Sequence, residues 1–288
     1  MTTQPNPENA DALPRGTRIG RTALRVADLD EMTGFYRDVV GLSVLSTSDT
    51  TAVLGVADTS LLVLEEAEDA LKRHRSGTGL YHNAFRVPSR EALGDALGRI
   101  RDHWQLGGAS DHLVSEALYL TDPEGNGVEI YRDFPRDEWS IDDNGTIRIG
   151  SDRLDLDRIE AAGSGGNRAP PGTDVGHVHL EVSSLDAFKD FYVDTLGFEV
   201  QATWPNAHFV SAGGYHHHIG ANTWHHRTTP SDGRGLSWFE VVVPDPEVLD
   251  AVRERFVAGE IPVTEMDDGI VVTDPDGIEI RLRVESAT

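Results

Sequence analysis

Two copies of one pattern run through these 288 residues, so the chain must fold into repeated units that are joined in tandem. With Arg21 set over His177, an offset of 156, the next two dozen residues agree in pattern. Leu24, Val26, Leu29, Asp30, Phe35, Tyr36, Asp38, Gly41 and Val44 meet Leu180, Val182, Leu185, Asp186, Phe191, Tyr192, Asp194, Gly197 and Val200. Gly79-Leu80 meets Gly235-Leu236 at the same offset, and Thr121-Asp-Pro-Glu-Gly125 meets Thr273-Asp-Pro-Asp-Gly277 at 152. The chain is a duplication.

Each half divides again, since Arg21 to His82 and His177 to Trp238 both span 61 residues. Every quarter opens with an alternating strand: 22–26, 83–87, 178–182 and 239–243. A helix follows each. Ser184 is placed to cap 185–196 and Gly197 to stop it, Asp28 and Gly41 bracket the matching helix, and Gly94 should weaken the one in the second quarter. Asp-Pro-x-Gly turns precede the last strand of quarters two and four. The unit is βαβββ, four times over, an α+β fold. The expected division is a disordered terminus (1–17), an N-terminal half of modules one and two (18–135), a flexible linker (136–172) and a C-terminal half of modules three and four (173–285).

Composition removes several classes of function. Lys plus Arg is 25 against 49 Asp plus Glu, a net charge of -24, which excludes a polyanion-binding surface and so nucleic acid. Only two Lys stand against 23 Arg, and such an acidic surface resembles that of halophilic proteins, in which counterions screen self-repulsion, the alternative being an ordinary acidic cytosolic protein. Without cysteine there are no disulfides, thiolate nucleophiles or iron–sulfur clusters. No apolar run of eighteen residues is present and the first residues are polar, so no membrane association and a cytoplasmic location are expected.

The four βαβββ modules, with Gly213-Gly-Tyr-His-His-His-Ile-Gly-Ala-Asn-Thr-Trp224 and Ser115-Glu-Ala-Leu-Tyr-Leu-Thr-Asp-Pro-Glu-Gly-Asn-Gly-Val-Glu-Ile-Tyr131, resemble the vicinal oxygen chelate superfamily of glyoxalase I, fosfomycin-resistance proteins and extradiol dioxygenases. They are most similar to its catechol 2,3-dioxygenase-like branch. The resemblance implies modules paired into open, curved mixed sheets, each pair closing around one divalent metal held by first-strand and last-strand residues. The first-strand positions are Arg21, His82, His177 and Trp238; the last-strand positions are about Leu64, Glu129, about His218, and Glu279. Neither half alone supplies two first-strand His and a last-strand Glu. Modules two and three together do, with His82, His177 and Glu129, the two-His-one-carboxylate face of non-haem Fe(II) oxygenases. Modules one and four would then line a second, degenerate cavity with Arg21, Leu64, Trp238 and Glu279. The alternative is a C-terminal metal set of His177 with His218 or His216 and Glu279.

Extradiol enzymes carry a run that reads here His112, five residues, Leu118-Tyr119, two residues, Asp122-Pro-Glu-Gly125, three residues, Glu129, departing from the usual choice at Ser110. The resemblance therefore implies Glu129 as ligand, His112 and Tyr119 as groups bonding the substrate oxygens, and His217 as the base, although strand parity would put His216 and His218 on one face and His217 on the other. His179, Asn222, Trp224 and Tyr215 are candidate substrate contacts, with Trp204 and Phe209 as further stacking residues. The implied reaction is ring cleavage of a small aromatic vicinal diol by O2, with Fe(II) or, as alternatives, Mn, Ni or Zn. Competing readings are a glyoxalase-type isomerase or lyase, with the metal as Lewis acid, and a non-catalytic binder of small aromatics. An exposed module edge leaves a homodimer open.

Overall fold

The computed structural model describes residues 11–67, 70–142, 146–230 and 233–285. The first module is β1 (Arg18–Val26), α1 (Leu29–Phe35), β2 (Ser43–Thr47), β3 (Thr51–Val56) and β4 (Thr59–Glu66). The second is β5 (Gly79–Arg86), α2 (Arg90–His103), β6 (Gly108–Asp111), β7 (Ser115–Thr121) and β8 (Gly127–Asp133). A short α3 (Leu156–Glu160) lies between the halves. The third module is β9 (Asp174–Glu181), α4 (Leu185–Lys189), β10 (Glu199–Trp204), β11 (Ala207–Ser211) and β12 (Ile219–Asn222). The fourth is β13 (Gly235–Val243), α5 (Pro246–Ala258), β14 (Thr264–Met266), β15 (Gly269–Thr273) and β16 (Glu279–Val284).

Helix starts follow the capping residues: Asp28 accepts from the Glu31 N–H at 2.8 Å, and Ser184 from Ala187 at 3.2 Å. Instead of one regular helix over 185–196, α4 ends at Lys189 and the chain widens into a π turn over Asp190–Thr195, as it does after α1 over Tyr36–Val40. Each wide turn contains the tyrosine that reaches a turn aspartate in the following module: Tyr36 to Asp122 at 3.1 Å and Tyr192 to Asp274 at 2.9 Å. Gly94 does not break α2. A Cβ there would come within 2.5 Å of the Ile159 carbonyl, so glycine is what lets α3 lie against α2.

The modules pair crosswise. One eight-stranded sheet runs β14-β15-β16-β13-β1-β4-β3-β2, from modules four and one; the other runs β10-β11-β12-β9-β5-β8-β7-β6, from modules three and two. The first strands meet antiparallel at each centre, β1 on β13 and β5 on β9. Last strands lie parallel to first strands within each module, β8 on β5 and β12 on β9. One continuous apolar core lies between the sheets, and buried Asn83 on β5 donates to Thr22 on β1 at 2.6 Å.

Two expectations about the connections need correction. Residues 11–17 are packed, not disordered: Leu13 is buried and its N–H donates to the Gly197 carbonyl at 2.8 Å, while 1–10 lie outside the described residues. The segment 136–172 is not a free linker. Trp139, Ile147, Leu154, Ile159 and Ala169 are buried, and Asp95 on α2 accepts the backbone N–H groups of Ser164 and Gly165 at 2.6 and 2.8 Å. Apolar residues between the Gly-rich stretches give this segment a core-facing side.

Candidate metal centre and cavity

Strand register assembles the site before any side chain is considered. Across one row of the second sheet, Tyr119 on β7 faces Glu129 on β8, Glu129 faces Ala84 on β5, and Ala84 faces His177 on β9. In the next row His82 faces His179, which itself faces Gly220. Side chains alternate along a strand, so His177, His179 and Glu181 share a face of β9, as do Glu129, Tyr131 and Asp133 on β8. The small Ala84 leaves a gap, and the Glu129, His177 and His82 side chains converge over it.

Their approach is close. His82 Nε2 and His177 Nε2 are 3.2 Å apart, and Glu129 Oε2 lies 3.0 Å from the first and 3.1 Å from the second. All three residues are buried, and they are the cluster of potential ligands found among the described residues. Three atoms at mutual separations near 3 Å match one face of an octahedron, since bonds of about 2.1 Å at right angles place neighbouring ligand atoms about 3.0 Å apart. Two imidazole nitrogens and a carboxylate oxygen are suitable donors for a transition-metal dication. Burial opposes the charge on Glu129, but the facing imidazoles hold its carboxyl well below the usual range. Burial lowers His177 to about 4 against the opposing pull of Glu129, so its ring is neutral near pH 7, as ligation requires.

Beside this triad opens a cavity of about 820 Å³ whose walls include Tyr81, His112, Tyr119, His179, Phe209, His217 and Trp224. His217 lies ring to ring on His177, with centroids 4.1 Å apart, and burial together with His177 and His216 lowers its pKa well below the usual value. His112 Nε2 is 2.6 Å from the Tyr119 hydroxyl, while its Nδ1 is 2.7 Å from the Gly150 carbonyl. A carbonyl only accepts, so Nδ1 carries hydrogen; in the neutral ring Nε2 is bare and the Tyr119 hydroxyl donates to it. Burial and the Glu129 charge push the Tyr119 pKa well above 10. His179 is buried neutral, its pKa lowered first by burial, and its Nε2 sits 3.1 Å from the Asn222 side-chain amide.

Several expectations do not hold. Tyr215 does not face the cavity: it packs on Trp139, and its hydroxyl meets the Tyr131 hydroxyl at 2.8 Å and Asp133 at 3.0 Å. Asn222 is buried behind His179 and steadies it, with no cavity surface of its own. The alternative metal set is dispersed. Glu279 sits on β16 in the other sheet and pairs with Arg281, His218 Nδ1 accepts from the Ala212 N–H at 3.2 Å, and His216 bonds Asp133. The three successive His residues precede β12 in an irregular segment, so parity along a strand does not apply to them. The degenerate cavity is filled: Arg281 stacks on the Trp238 ring at 3.9 Å, Arg21 pairs with buried Glu240, and Leu64 points into the core.

Of the other cavity residues, Tyr81, Glu181 and Arg73 escaped the sequence reading, whereas His225 and Arg227 were expected at the cavity mouth. Tyr81 touches the His82, His179 and Trp224 rings. Buried Glu181 gathers Arg73, Arg227 and His225, with Arg73 at 2.9 Å and Arg227 at 3.2 Å, tying two connecting loops over the end of β9. Alternation two and four residues beyond His177 would have placed Glu181 on the site's face; Arg73 lies in a connection with no repeat signal.

The model of the glyoxalase/bleomycin resistance protein/dioxygenase superfamily matches residues 18–130 and 174–282, most of the chain. The chain belongs to this superfamily. It is 41% identical over 269 residues to the catechol-2,3-dioxygenase of Bacillus subtilis (strain 168), covering 90% of this chain and 94% of that one. Glyoxalase I from Zea mays aligns with a TM-score of 0.56 at 16% identity, over 93% of this chain and 92% of its own. The cppA protein of Streptococcus pneumoniae TIGR4 aligns with a TM-score of 0.56 at 12% identity, over 93% and 99%. These two structures share the fold. The superfamily and the His-His-Glu face together make this a metal-site enzyme fold whose sequence is catechol-2,3-dioxygenase-like. Among the described residues no helix is long and apolar enough to cross a membrane.

Proposed function

We propose that the protein is an extradiol dioxygenase, cleaving the ring of a catechol-type vicinal diol with O2 beside its hydroxyl-bearing carbons. The observation that carries this reading is the joining of the His82–His177–Glu129 face to a cavity walled by the neutral imidazoles of His179 and His217 and the protonated phenol of Tyr119. Fe(II) suits these donors, with Mn, Ni or Zn as alternatives. When bound, the metal supplies an electrophilic centre for both diol oxygens and a path for electrons between the diol and O2.

The chain's own residues do the rest. His217, neutral through burial and beside His177, takes the proton that the diol gives up. Tyr119, fixed by its bond to His112 and kept protonated, presents its oxygen beside Glu129, where a substrate oxygen would arrive. His179, held by Asn222, lines the wall next to His82. A cavity of about 820 Å³ lies near the top of the usual range for ligand sites and exceeds what one ring fills. Its aromatic wall of Tyr81, Phe209 and Trp224 therefore receives a ring substituent.

The test is to load the protein anaerobically with Fe(II) in high salt and then admit O2 with a panel of catechols, including alkyl- and aryl-substituted ones. The expected result is the yellow absorbance of a ring-opened semialdehyde, strongest with bulky substituents and lost in Glu129→Ala. Absence of product from every catechol with metal bound would overturn the reading in favour of a glyoxalase-type isomerase.

A further inference from the structure

We infer that Asp133 and His216, neither of which reaches the cavity, are positioning residues that set the tautomer of His217 and so decide which of its nitrogens is free to act. The inference rests on the extradiol reading for its consequence, but not for its geometry. His216 Nε2 lies 2.9 Å from Asp133 Oδ1, and His216 Nδ1 lies 2.7 Å from His217 Nδ1. An ionised carboxylate only accepts, so His216 carries its hydrogen on Nε2. Its Nδ1 is then bare and must accept from His217 Nδ1–H. That leaves His217 Nε2 without hydrogen, on a residue that lines the cavity against His177.

The chain of bonds is anchored so that it reads in one direction. Asp133 Oδ2 accepts from the Tyr215 hydroxyl at 3.0 Å and from Arg86 at 3.1 Å. Arg86 can only donate, which fixes the carboxylate's orientation. The His216 ring is fully buried, with the Tyr215 ring centroid at 4.1 Å and that of Trp139 at 5.4 Å, so it cannot turn over in place. Asp133 owes its position to alternation along β8, four residues beyond Glu129. One strand thus delivers both a proposed metal ligand and the anchor of the neighbouring base. A pair serving only to satisfy buried polar atoms would look similar in outline, and the variants below separate the two roles.

In Asp133→Asn the amide oxygen stays with Arg86, which needs an acceptor, and the amide NH2 turns to His216 Nε2. That nitrogen must then be bare, His216 carries its hydrogen on Nδ1, and His217 is driven to the Nε2–H tautomer with no lone pair toward the cavity. His216→Gln spans the same two bonds, its carbonyl accepting from His217 and its amide donating to Asp133, and keeps the original tautomer without an imidazole. His216→Phe keeps the packing and removes the link.

The primary readout is histidine 15N NMR, through two-bond couplings, on protein prepared with and without Zn2+; it needs no turnover. The expected result is Nδ1–H His217 in the wild type and in His216→Gln, Nε2–H in Asp133→Asn, and a mixture in His216→Phe. With Fe(II), O2 and a cleaved catechol, kcat should fall about 100-fold or more in Asp133→Asn with KM little changed, and stay within about tenfold in His216→Gln. An unchanged His217 tautomer in Asp133→Asn or in His216→Phe would overturn the inference, as would full kcat in a folded Asp133→Asn. If Asp133→Asn does not fold, the two His216 variants carry the same test. Failure of the extradiol reading itself would appear separately, as a wild type that cleaves no catechol while the NMR result stands.

Discussion

The carboxyl group of Asp274 lies 2.9 Å from the Tyr192 hydroxyl and accepts the backbone N–H groups of Asp276 and Ile278 at 2.9 and 2.8 Å. Burial nevertheless dominates and raises its pKa to about 7, as it raises that of Asp122 in the matching turn to about 6. Between its unfolded pKa of about 3.9 and its folded value, the native protein holds a proton that the unfolded chain has released. The contribution of this group to unfolding free energy therefore falls as pH rises from about 4 to about 7. Asp274→Asn keeps an oxygen for the two N–H donors and removes the titration. Denaturant unfolding across that window should show the wild type losing stability relative to the variant, by on the order of 1 kcal/mol per pH unit. Parallel curves would mean that Asp274 is ionised in the folded state at all these pH values. Residue identity alone showed that these aspartates open a turn. It could not show their burial, which depends on tyrosines that lie 86 and 82 residues away.

At the scale of elements, the site is a consequence of register. His82, His177 and Glu129 were legible because each sits at a position that recurs once per module, and the family resemblance marks those first-strand and last-strand positions as the ones that hold a metal. His216–His218 were not, because the chain bends before β12 and the two-residue alternation fails there. Tyr215 was misplaced for a related reason: an aromatic residue beside a strand does not announce which side it packs on. The same register makes Ala84 a sharp test. It is fully buried in the row between Glu129 and His177, against Ala117 and Tyr131. Ala84→Leu would wedge the two apart while leaving every proposed ligand present. Overpacking of this kind costs about 1–3 kcal/mol. The expected outcome is a folded protein with a lower melting temperature and divalent-metal affinity reduced about tenfold or more, read by calorimetry. Wild-type affinity in a folded Ala84→Leu would mean that the metal is held elsewhere.

The duplication made the four modules readable, and the distribution of histidines between the halves pointed to their crosswise pairing. What the repeat could not reveal was that the connections are structural, because 11–17 and 136–172 have no counterpart to be compared with. The crosswise arrangement has a consequence for the molecule as a whole. Each sheet takes one module from each half, and the joints are the central pairs β1 on β13 and β5 on β9. A half expressed alone would expose the edges of two first strands and part of the apolar core, both liable to aggregate. The two modules of one half also leave the metal face incomplete: 1–142 lacks His177, and 146–288 lacks His82 and Glu129. Divided within 143–145, neither piece should give a sharp thermal transition or bind a divalent metal, whereas the two produced together should co-purify and bind one metal per pair. A half that alone folds cooperatively and binds metal at the proposed site would show that the pairing within it is not the crosswise one described here.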